Sequence, residues 1–304
     1  MKIFKALVSG FYKTLKAWKG ILLIWLGSLL TVCFVALPFK AFLRSALGGS
    51  MITERLKDGI DIEVLGDMGS GFRNLLSSLP AGIFLLILTG ILLGAFLNGG
   101  IFHSLKYSVE KFSFSGFFKA CSKNFWSFLL ISVLINVTIF FVSVLIIGLP
   151  LSIVVNGESG SEKLPVITAL LSFSLFFLVS LLFILVADYA RAWHVAQDKQ
   201  AAFKALGFGF SRTFGAFLSS FPMMLALSLI MALFTFVVLK LFAVWMPGTG
   251  GRVFLLFVIS QLLFFIKSAL KVWRYGSVTA LKEINDTKEQ KTAINDFDAK
   301  VISV

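Results

Sequence analysis

The sequence predicts an all-α polytopic membrane protein in which six transmembrane helices form three repeated helical hairpins. The chain of 304 residues is 58% hydrophobic and 14% charged, whereas an average soluble domain is about 25% charged. The apolar residues are concentrated in six blocks that are each long enough to cross a bilayer, which takes about 20 residues. A basic, aromatic segment also occurs three times, each time directly before a block. The blocks cover residues 21–43, 81–104, 125–149, 165–187, 217–244 and 253–275.

The recurring segment precedes the first, third and fifth blocks. It reads FKALVSGFYKTLKAW from Phe4, FSGFFKACSKNFWSF from Phe114 and FKALGFGFSRTFGAF from Phe203. Apolar residues at helical spacing, with basic residues between them, predict a short amphipathic helix at the cytoplasmic membrane surface. A cytoplasmic extension of the following span is the alternative. One aligned position holds a small residue that permits a bend (Gly10, Ala120 or Gly209), and another holds a basic residue (Lys13, Lys123 or Arg212).

The return spans also correspond between copies. Asp188–Trp193 aligns with Ser268–Trp273 and, more weakly, with Gly99–Ser104. From Gly99 to Asp188 the shift is 89 residues, which equals the shift between the second and third copies of the recurring segment. Because the recurring segment and the return span are shifted by the same number of residues, the sequence predicts a tandem repeat. The predicted membrane domain covers residues 1–282, with repeats at about 1–104, 112–187 and 201–275, and a polar cytoplasmic tail at 283–304 is expected to be disordered or loosely helical.

The formal net charge of +13 is distributed as the positive-inside rule describes. Basic residues crowd the start of the chain and the connections between blocks two and three and between blocks four and five, whereas the first acidic residue is Glu54. This pattern predicts a multi-pass protein of the bacterial inner (cytoplasmic) membrane with both termini in the cytoplasm, and it argues against nucleic-acid binding. The longest external loop, at 44–79, alternates apolar and acidic residues at 60–64.

Catalytic and metal-binding motifs are absent from the sequence. It contains no His/Cys metal spacing, no phosphate-binding glycine loop and no nucleophile elbow. We therefore predict no catalytic residue, no metal and no cofactor, and we expect a protein that is not an enzyme.

Ionisable residues near the cytoplasmic ends of the return spans form the candidate functional site, because a charge at membrane depth is costly and is usually paired or functional. They are Asp188, Arg191, Lys267, Lys271 and His103. We expect Asp188 to meet Lys267 or Lys271 in a polar pocket that opens to the cytoplasm and holds a lipid headgroup or another anion. The alternative is a structural ion pair beside long side chains that reach the interface.

Three side-chain amides lie deeper in the apolar blocks, at Asn98, Asn136 and Gln261. Amides within a bilayer form hydrogen bonds across helices that are worth about 1 kcal/mol each. We expect these three to join helices in this way, and contact with a substrate is the alternative.

The basic helix with its Phe-x3-Phe-like pattern, and the return span that ends in D/S-x-A/L-R/K-x-W, together resemble a broad group of bacterial six-helix membrane proteins. This group includes families of unknown function and is similar to the membrane domain attached to some glycerophosphodiester phosphodiesterases. The resemblance covers about residues 1–280 and implies a six-helix fold. It implies no catalytic residue, because the soluble phosphodiesterase domain has no counterpart in this sequence.

The functional expectation is a non-enzymatic inner-membrane protein that binds or moves lipid or another amphipathic molecule. Its cationic cytoplasmic surface predicts anionic lipid headgroups as partners. The alternative is a structural subunit or scaffold of a membrane complex, with a membrane protein as its partner. A membrane enzyme is the third possibility, and nucleic acid is not expected as a partner.

Cysteine accessibility tests the predicted topology. After Cys33 and Cys121 are replaced by serine, single cysteines near the N-terminus and within residues 105–124 are expected to react only from the cytoplasmic side, since both stretches are basic. A membrane-impermeant maleimide applied to intact and to opened cells measures this. A cysteine at 156–163 serves as the control that reacts from outside. If the first two positions label from opposite sides, the hairpin arrangement is wrong.

Overall fold

The protein is helical throughout the part of the chain that the structure describes. This computed structural model describes residues 2–47, 70–108, 112–156, 163–197, 201–244 and 250–302, and these contain no β-strand. The alternating stretch at 60–64 lies outside the described residues. The helices are α1 (Lys2–Lys16), α2 (Trp18–Leu47), α3 (Ser70–Lys106), α4 (Phe114–Ser143), α5 (Leu149–Asn156), α6 (Lys163–Gln197), α7 (Ala202–Gly215), α8 (Phe217–Val244) and α9 (Gly250–Ile302).

Five helical stretches are long and apolar enough to cross a membrane by themselves, with mean hydropathies between 2.2 and 2.8. They are Pro80–Lys106, Phe114–Val155, Lys163–Gln197, Phe217–Ala243 and Gly251–Lys291. A π-helical turn at Val144–Gly148 joins α4 to α5 within one of them. A sixth span results when α1 and the first part of α2, which are bent by 71°, are counted together. The predicted all-α class is thereby confirmed, and five or six helices are long and apolar enough to span a membrane.

Sharp breaks follow two of the three copies of the recurring segment. Ala17 separates α1 from α2, and Ala216 separates α7 from α8. The second copy has no break: the N–H of Gly116 donates to the Oγ of Ser113, which caps α4, and this helix then continues to Ser143. A separate helix therefore precedes the span in two copies. In the second copy the segment is the first part of the span itself, as the alternative interpretation predicted.

The last helix is also the longest. At about 1.5 Å per residue its 53 residues measure about 80 Å, more than twice the ~30 Å thickness of a hydrocarbon core. The segment assigned to a polar tail begins inside this helix, and Asn285 is buried. In the structure, α9 therefore continues without interruption past residue 282.

The described chain divides into two compact units. Unit one consists of Met1–Leu23 and Ala95–Val304, and unit two of Ile24–Gly94. Unit two contains the second part of α2 and the first part of α3. A Cβ atom added at Gly90 or Gly94 in this unit would meet no atom within 4 Å.

The core of unit one lies toward one end of its helices. On α4 the buried positions stop at Ile135, on α6 they become frequent from Leu181 onward, and on α8 they stop at Leu227. The most apolar stretch of each span is only 6–22% buried. Such bare apolar surface is expected for helices that are surrounded by lipid instead of by protein.

Two buried clusters make up about half of this core, and α6 contributes to both. The first joins α1, α6, α8 and α9, and its members are Ala6, Leu181, Leu185, Tyr189, Met223, Met224, Leu227, Val278 and Leu281. The second joins α4, α6 and α7, and its members are Ile131, Ile135, Val186, Ala187, Ala190, Ala202, Ala205 and Leu206. Helix α6 is therefore covered on two sides.

Close helix crossings in unit one use small residues. A Cβ added at Gly10 of α1 would overlap the backbone nitrogen of Ser277 on α9, and one added at Gly209 of α7 would overlap the carbonyl oxygen of Val186 on α6. A Cβ added at Gly99 of α3 would lie 3.0 Å from the carbonyl oxygen of Ala120 on α4. Small side chains allow helix backbones to approach this closely.

The small residue at the aligned position permits a bend, but neither Gly10 nor Gly209 is the site of one. The breaks lie at Ala17 and Ala216, several residues after Gly10 and Gly209. Both glycines lie within helices and face a neighbouring backbone. A missing side chain permits a bend and a close crossing equally well, and sequence alone does not distinguish the two.

Substitution of Gly209 tests the crossing of α7 over α6. Gly209→Leu is expected to destabilise the protein by at least about 1–3 kcal/mol, because the added side chain would overlap the backbone of α6. Gly207→Leu is the control, since Gly207 is exposed in the same helix and a Cβ there meets nothing within 4 Å. Thermal unfolding of the purified variants in detergent measures the difference. Equal stability of the two variants would contradict the close crossing.

Candidate functional site

The candidate site is built around Asp188, which is completely buried on α6. Its Oδ1 atom accepts a hydrogen bond from Nη1 of Arg191, one turn later on the same helix, at 3.2 Å. Its Oδ2 atom lies 2.9 Å from Nε of Arg274 on α9. Arg191 in turn donates from Nη2 to Oγ of Ser132 on α4, at 3.0 Å. These four residues, the charge cluster, connect α4, α6 and α9.

The charge cluster contains two guanidinium groups and one carboxylate. Each carboxylate oxygen of Asp188 faces one arginine, so the cluster carries one excess positive charge. Burial of an ion that is incompletely compensated costs several kcal/mol, and the cost falls when a counter-charge is near. The described acidic residues on the later part of α9 do not supply one, because Glu283, Asp286 and Glu289 pair with other cations.

A cleft of about 450 Å³ lies between α6, α8 and α9, next to the charge cluster. Its lining consists of Phe177, Leu181, Ile184, Leu227, Ser228, Met231, Ala232, Thr235, Phe236, Leu239, Leu270 and Arg274. Thr235 donates its hydroxyl to the carbonyl oxygen of Met231 in its own helix, at 2.8 Å. Among the described residues that line the cleft, Arg274 is therefore the single charged group in an otherwise mostly apolar wall.

Arg274 connects the cleft to the charge cluster. Its side chain is 18% exposed, whereas Asp188 behind it is fully buried. The guanidinium carbon lies 5.1 Å from the centre of the Tyr275 ring, which supports the cation from the side of α9. The arginine is thus fixed by a carboxylate and an aromatic ring and still contributes to the cleft surface.

The structure brings together only some of the predicted site residues. Asp188 and Arg191, which both belong to the predicted site, form an ion pair, but Arg274 takes the place that was expected for Lys267 or Lys271. Lys267 is exposed and Lys271 is half-buried. The expected contact of Asp188 with Lys267 or Lys271 was wrong, because the residue of α9 that lies next to Asp188 is Arg274, about one turn after Lys271.

His103 lies outside the charge cluster. It lines a different cavity of about 420 Å³, together with Lys16, Trp18, Tyr107 and Ser113 among others. The centre of its ring lies 4.7 Å from that of Tyr107. The structure therefore separates His103 from the other residues of the predicted site.

The deeper amides differ in their surroundings. The side chain of Asn136 donates to the carbonyl oxygen of Ser132 in its own helix, at 2.7 Å, so the expected bond across helices is wrong for this residue. A helix offers the carbonyl four residues back to any short polar side chain, and this bond needs no partner helix. Asn98 is buried on α3. The Oε1 atom of Gln261 is buried without a hydrogen-bond partner among the described residues.

Sequence reasoning missed Arg274 and Ser132. Arg274 follows Lys267 and Lys271 at the spacing that keeps three residues on one helix face, so extending that face by one turn would have included it. No sequence pattern marks Ser132 as part of the site. A serine in an apolar helix most often donates a hydrogen bond to a carbonyl oxygen of its own helix, as Ser174 does.

Basic residues of the recurring segment also have partners on α9. Lys13 of α1 binds Glu283 at 2.6 Å, and Arg212 of α7 binds Asp286 at 2.8 Å and also contacts Glu289. Partly exposed ion pairs of this kind contribute about 0.2–1 kcal/mol each. These two cations thus bind the later part of α9. The sequence had predicted anionic lipid headgroups as partners of this basic surface.

The described residues contain no group of three or more His, Cys, Asp or Glu side chains that could hold a metal ion. Comparisons with protein families, with curated proteins and with solved structures gave no match. What the chain does must therefore be inferred from the charge cluster and the cleft.

Removal of the buried carboxylate tests the charge cluster. Asp188→Asn is expected to destabilise the protein by about 3–5 kcal/mol, because it leaves the buried Arg191 and the half-buried Arg274 without a counter-charge. Lys267→Gln is the control, and it should change stability by less than about 0.5 kcal/mol because Lys267 is exposed. Thermal or denaturant unfolding in detergent provides the measurement. A neutral effect of Asp188→Asn would show that the cluster does not need its carboxylate.

Proposed function

We propose that this protein is a non-enzymatic, multi-pass protein of the bacterial inner membrane that binds a lipid molecule in the cleft between α6, α8 and α9. The observation that carries the proposal is the combination of an apolar cleft with one charged residue, Arg274, in its wall. Binding sites for small amphipathic molecules have this composition, in which apolar walls supply affinity and a few polar groups fix orientation.

The surroundings of the cleft support a lipid in preference to a water-soluble ligand. The parts of α6 and α8 beside the cleft expose large apolar residues, including Phe173, Leu233 and Val237. A molecule that enters from the bilayer keeps its hydrocarbon chain in an apolar environment throughout. Burying a methylene group of an acyl chain is worth about 0.8 kcal/mol relative to water. A lipid in the bilayer already has this gain, so its chain is not stabilised further by moving into the cleft. A polar contact is therefore needed for the lipid to prefer the cleft.

We also propose that the chain consists of three repeated helical hairpins. The small residues that align in the three copies, Gly10, Ala120 and Gly209, all lie at close crossings with a return span. The α1 crossing on α9 falls at Ser277, which is 89 residues after Asp188. This contact supports a register in which Ser277, and not Ser268, corresponds to Asp188.

The proposed orientation has both termini in the cytoplasm and the short basic helices near the inner leaflet. Its support is the positive-inside distribution of the basic residues. In this orientation the charge cluster lies toward the cytoplasmic end of α6. Anionic headgroups of the inner leaflet are then the membrane partners closest to the basic residues of α1 and α7.

Blocking the cleft tests the proposed function. Ala232→Phe places a ring in the cleft, and most of the lipid that co-purifies with the protein is expected to be lost. Ala243→Phe is the matched control, because Ala243 is exposed on the same helix and does not line the cleft. Native mass spectrometry of both variants in the same detergent measures the bound lipid.

Two results would contradict the proposal. Equal lipid retention by both variants would mean that the cleft is not the binding site. Loss of a co-purifying protein from Ala232→Phe, with lipid unchanged, would instead identify the cleft as the docking site of a partner helix and favour the scaffold alternative.

A further inference from the structure

We infer that the ligand of the cleft is an anionic amphiphile, whose negatively charged headgroup binds Arg274 and whose acyl chain lies along α8. This inference rests on the proposed function, and it adds the sign of the headgroup charge and the direction in which the molecule lies.

The excess charge of the cluster determines the sign of the headgroup. Asp188 compensates one of the two arginines, and within the described part of the chain no second carboxylate pairs with either of them. Since Arg191 is buried against Ser132 and Asp188, the excess positive charge is accessible only through Arg274. An anion that enters the cleft neutralises this charge, whereas a zwitterionic or neutral headgroup does so less well or not at all.

The arginine has donors left for such an anion. A guanidinium group carries five N–H donors in a planar fork, and the shortest contact of Arg274 with Asp188 is made by Nε. Among the described residues, Asp188 is the acidic residue with which Arg274 forms an ion pair. Paired donors in one plane fit a carboxylate or a phosphate with two parallel hydrogen bonds. Asp188 thus positions the arginine and leaves its remaining donors for the ligand.

The dimensions of the cleft fit an acyl chain. Its wall on α8 extends from Leu227 to Leu239, and at ~1.5 Å per residue this corresponds to about 18 Å. One leaflet contributes about 15 Å, or half, of the hydrocarbon core. Arg274 lies on α9 between Trp273, which packs against the core of unit one, and Val278, which belongs to it. On α8, Leu227 belongs to the same core, whereas Leu239 lies toward the bare end of the helix. A headgroup at Arg274 therefore places the chain toward the bare ends of the helices, parallel to the lipids of one leaflet.

Two probes with the same chain test the sign of the headgroup. Oleate and oleyl alcohol have the same chain and differ in charge. With the purified wild-type protein in a neutral detergent at alkaline pH, where the carboxylate is ionised, oleate is expected to bind at least about tenfold more tightly, because hydrogen bonds to charged groups are the strong ones. Displacement of a fluorescent fatty acid and native mass spectrometry provide the measurement. Phosphatidylglycerol and phosphatidylcholine, added in the same way, show whether the anion is a fatty-acid carboxylate or a phospholipid phosphate.

Substitution of the arginine assigns the effect to one residue. Arg274→Gln is expected to remove the preference for oleate and to leave the binding of oleyl alcohol within about twofold. Lys267→Gln, which changes the charge on the same helix outside the cleft, should retain the preference.

The outcomes separate this inference from the proposed function. Equal binding of both probes by the wild type, blocked by Ala232→Phe, overturns the inference and leaves lipid binding in the cleft intact. Binding of both probes that Ala232→Phe does not affect overturns the two together. If Arg274→Gln fails to fold, the wild-type comparison of oleate with oleyl alcohol still decides the question.

Discussion

Close contact between helix backbones is the constraint on which the rest of unit one depends. The glycines at the crossings of α1 on α9 and of α7 on α6 leave no room for a side chain, and Gly99 allows a slightly wider crossing of α3 on α4. These contacts lie toward one end of the helices, where nearly all the buried residues also lie. Beyond the crossings the spans present apolar side chains that the protein does not cover, so the core needs the membrane to complete the surroundings of its helices.

The crossing of α7 over α6 explains why a carboxylate can be buried at position 188. Val186 and Ala190 lie one turn apart and face α7, and Asp188, at about 100° of rotation per residue, points to the opposite side of α6. That side faces α9, which supplies Arg274. The same packing that buries the carboxylate also leaves an open cleft next to the arginine, because α8 and α9 cover α6 only as far as the core extends.

Sequence patterns predicted the helices, which depend on local periodicity. They did not predict the contacts that depend on how the helices pack against each other. The apolar blocks correspond to the observed helices, and an ion pair, which was the alternative interpretation of the charged residues, is present between Asp188 and Arg191. The third member of the cluster was misplaced by one turn, since the contact between Arg274 of α9 and Asp188 of α6 depends on how the two helices pack, which no local pattern encodes. For the same reason the sequence did not predict the close crossings at Gly10 and Gly209. The composition of the polar end of α9 predicted a disordered or loosely helical tail, whereas in the structure α1 and α7 bind it.

The direct packing of α1 on α9 sets an order for biosynthesis. Trp273 donates its indole N–H to the carbonyl oxygen of Leu7 at 2.9 Å, although the two residues are 266 positions apart in the chain. During translation the nascent α1 therefore emerges long before its docking surface exists. Until then the surface of α9 on which it docks does not cover its apolar face. The contact between α1 and α9 can form only after translation has passed Trp273, so the first helix made is among the last to reach its final place.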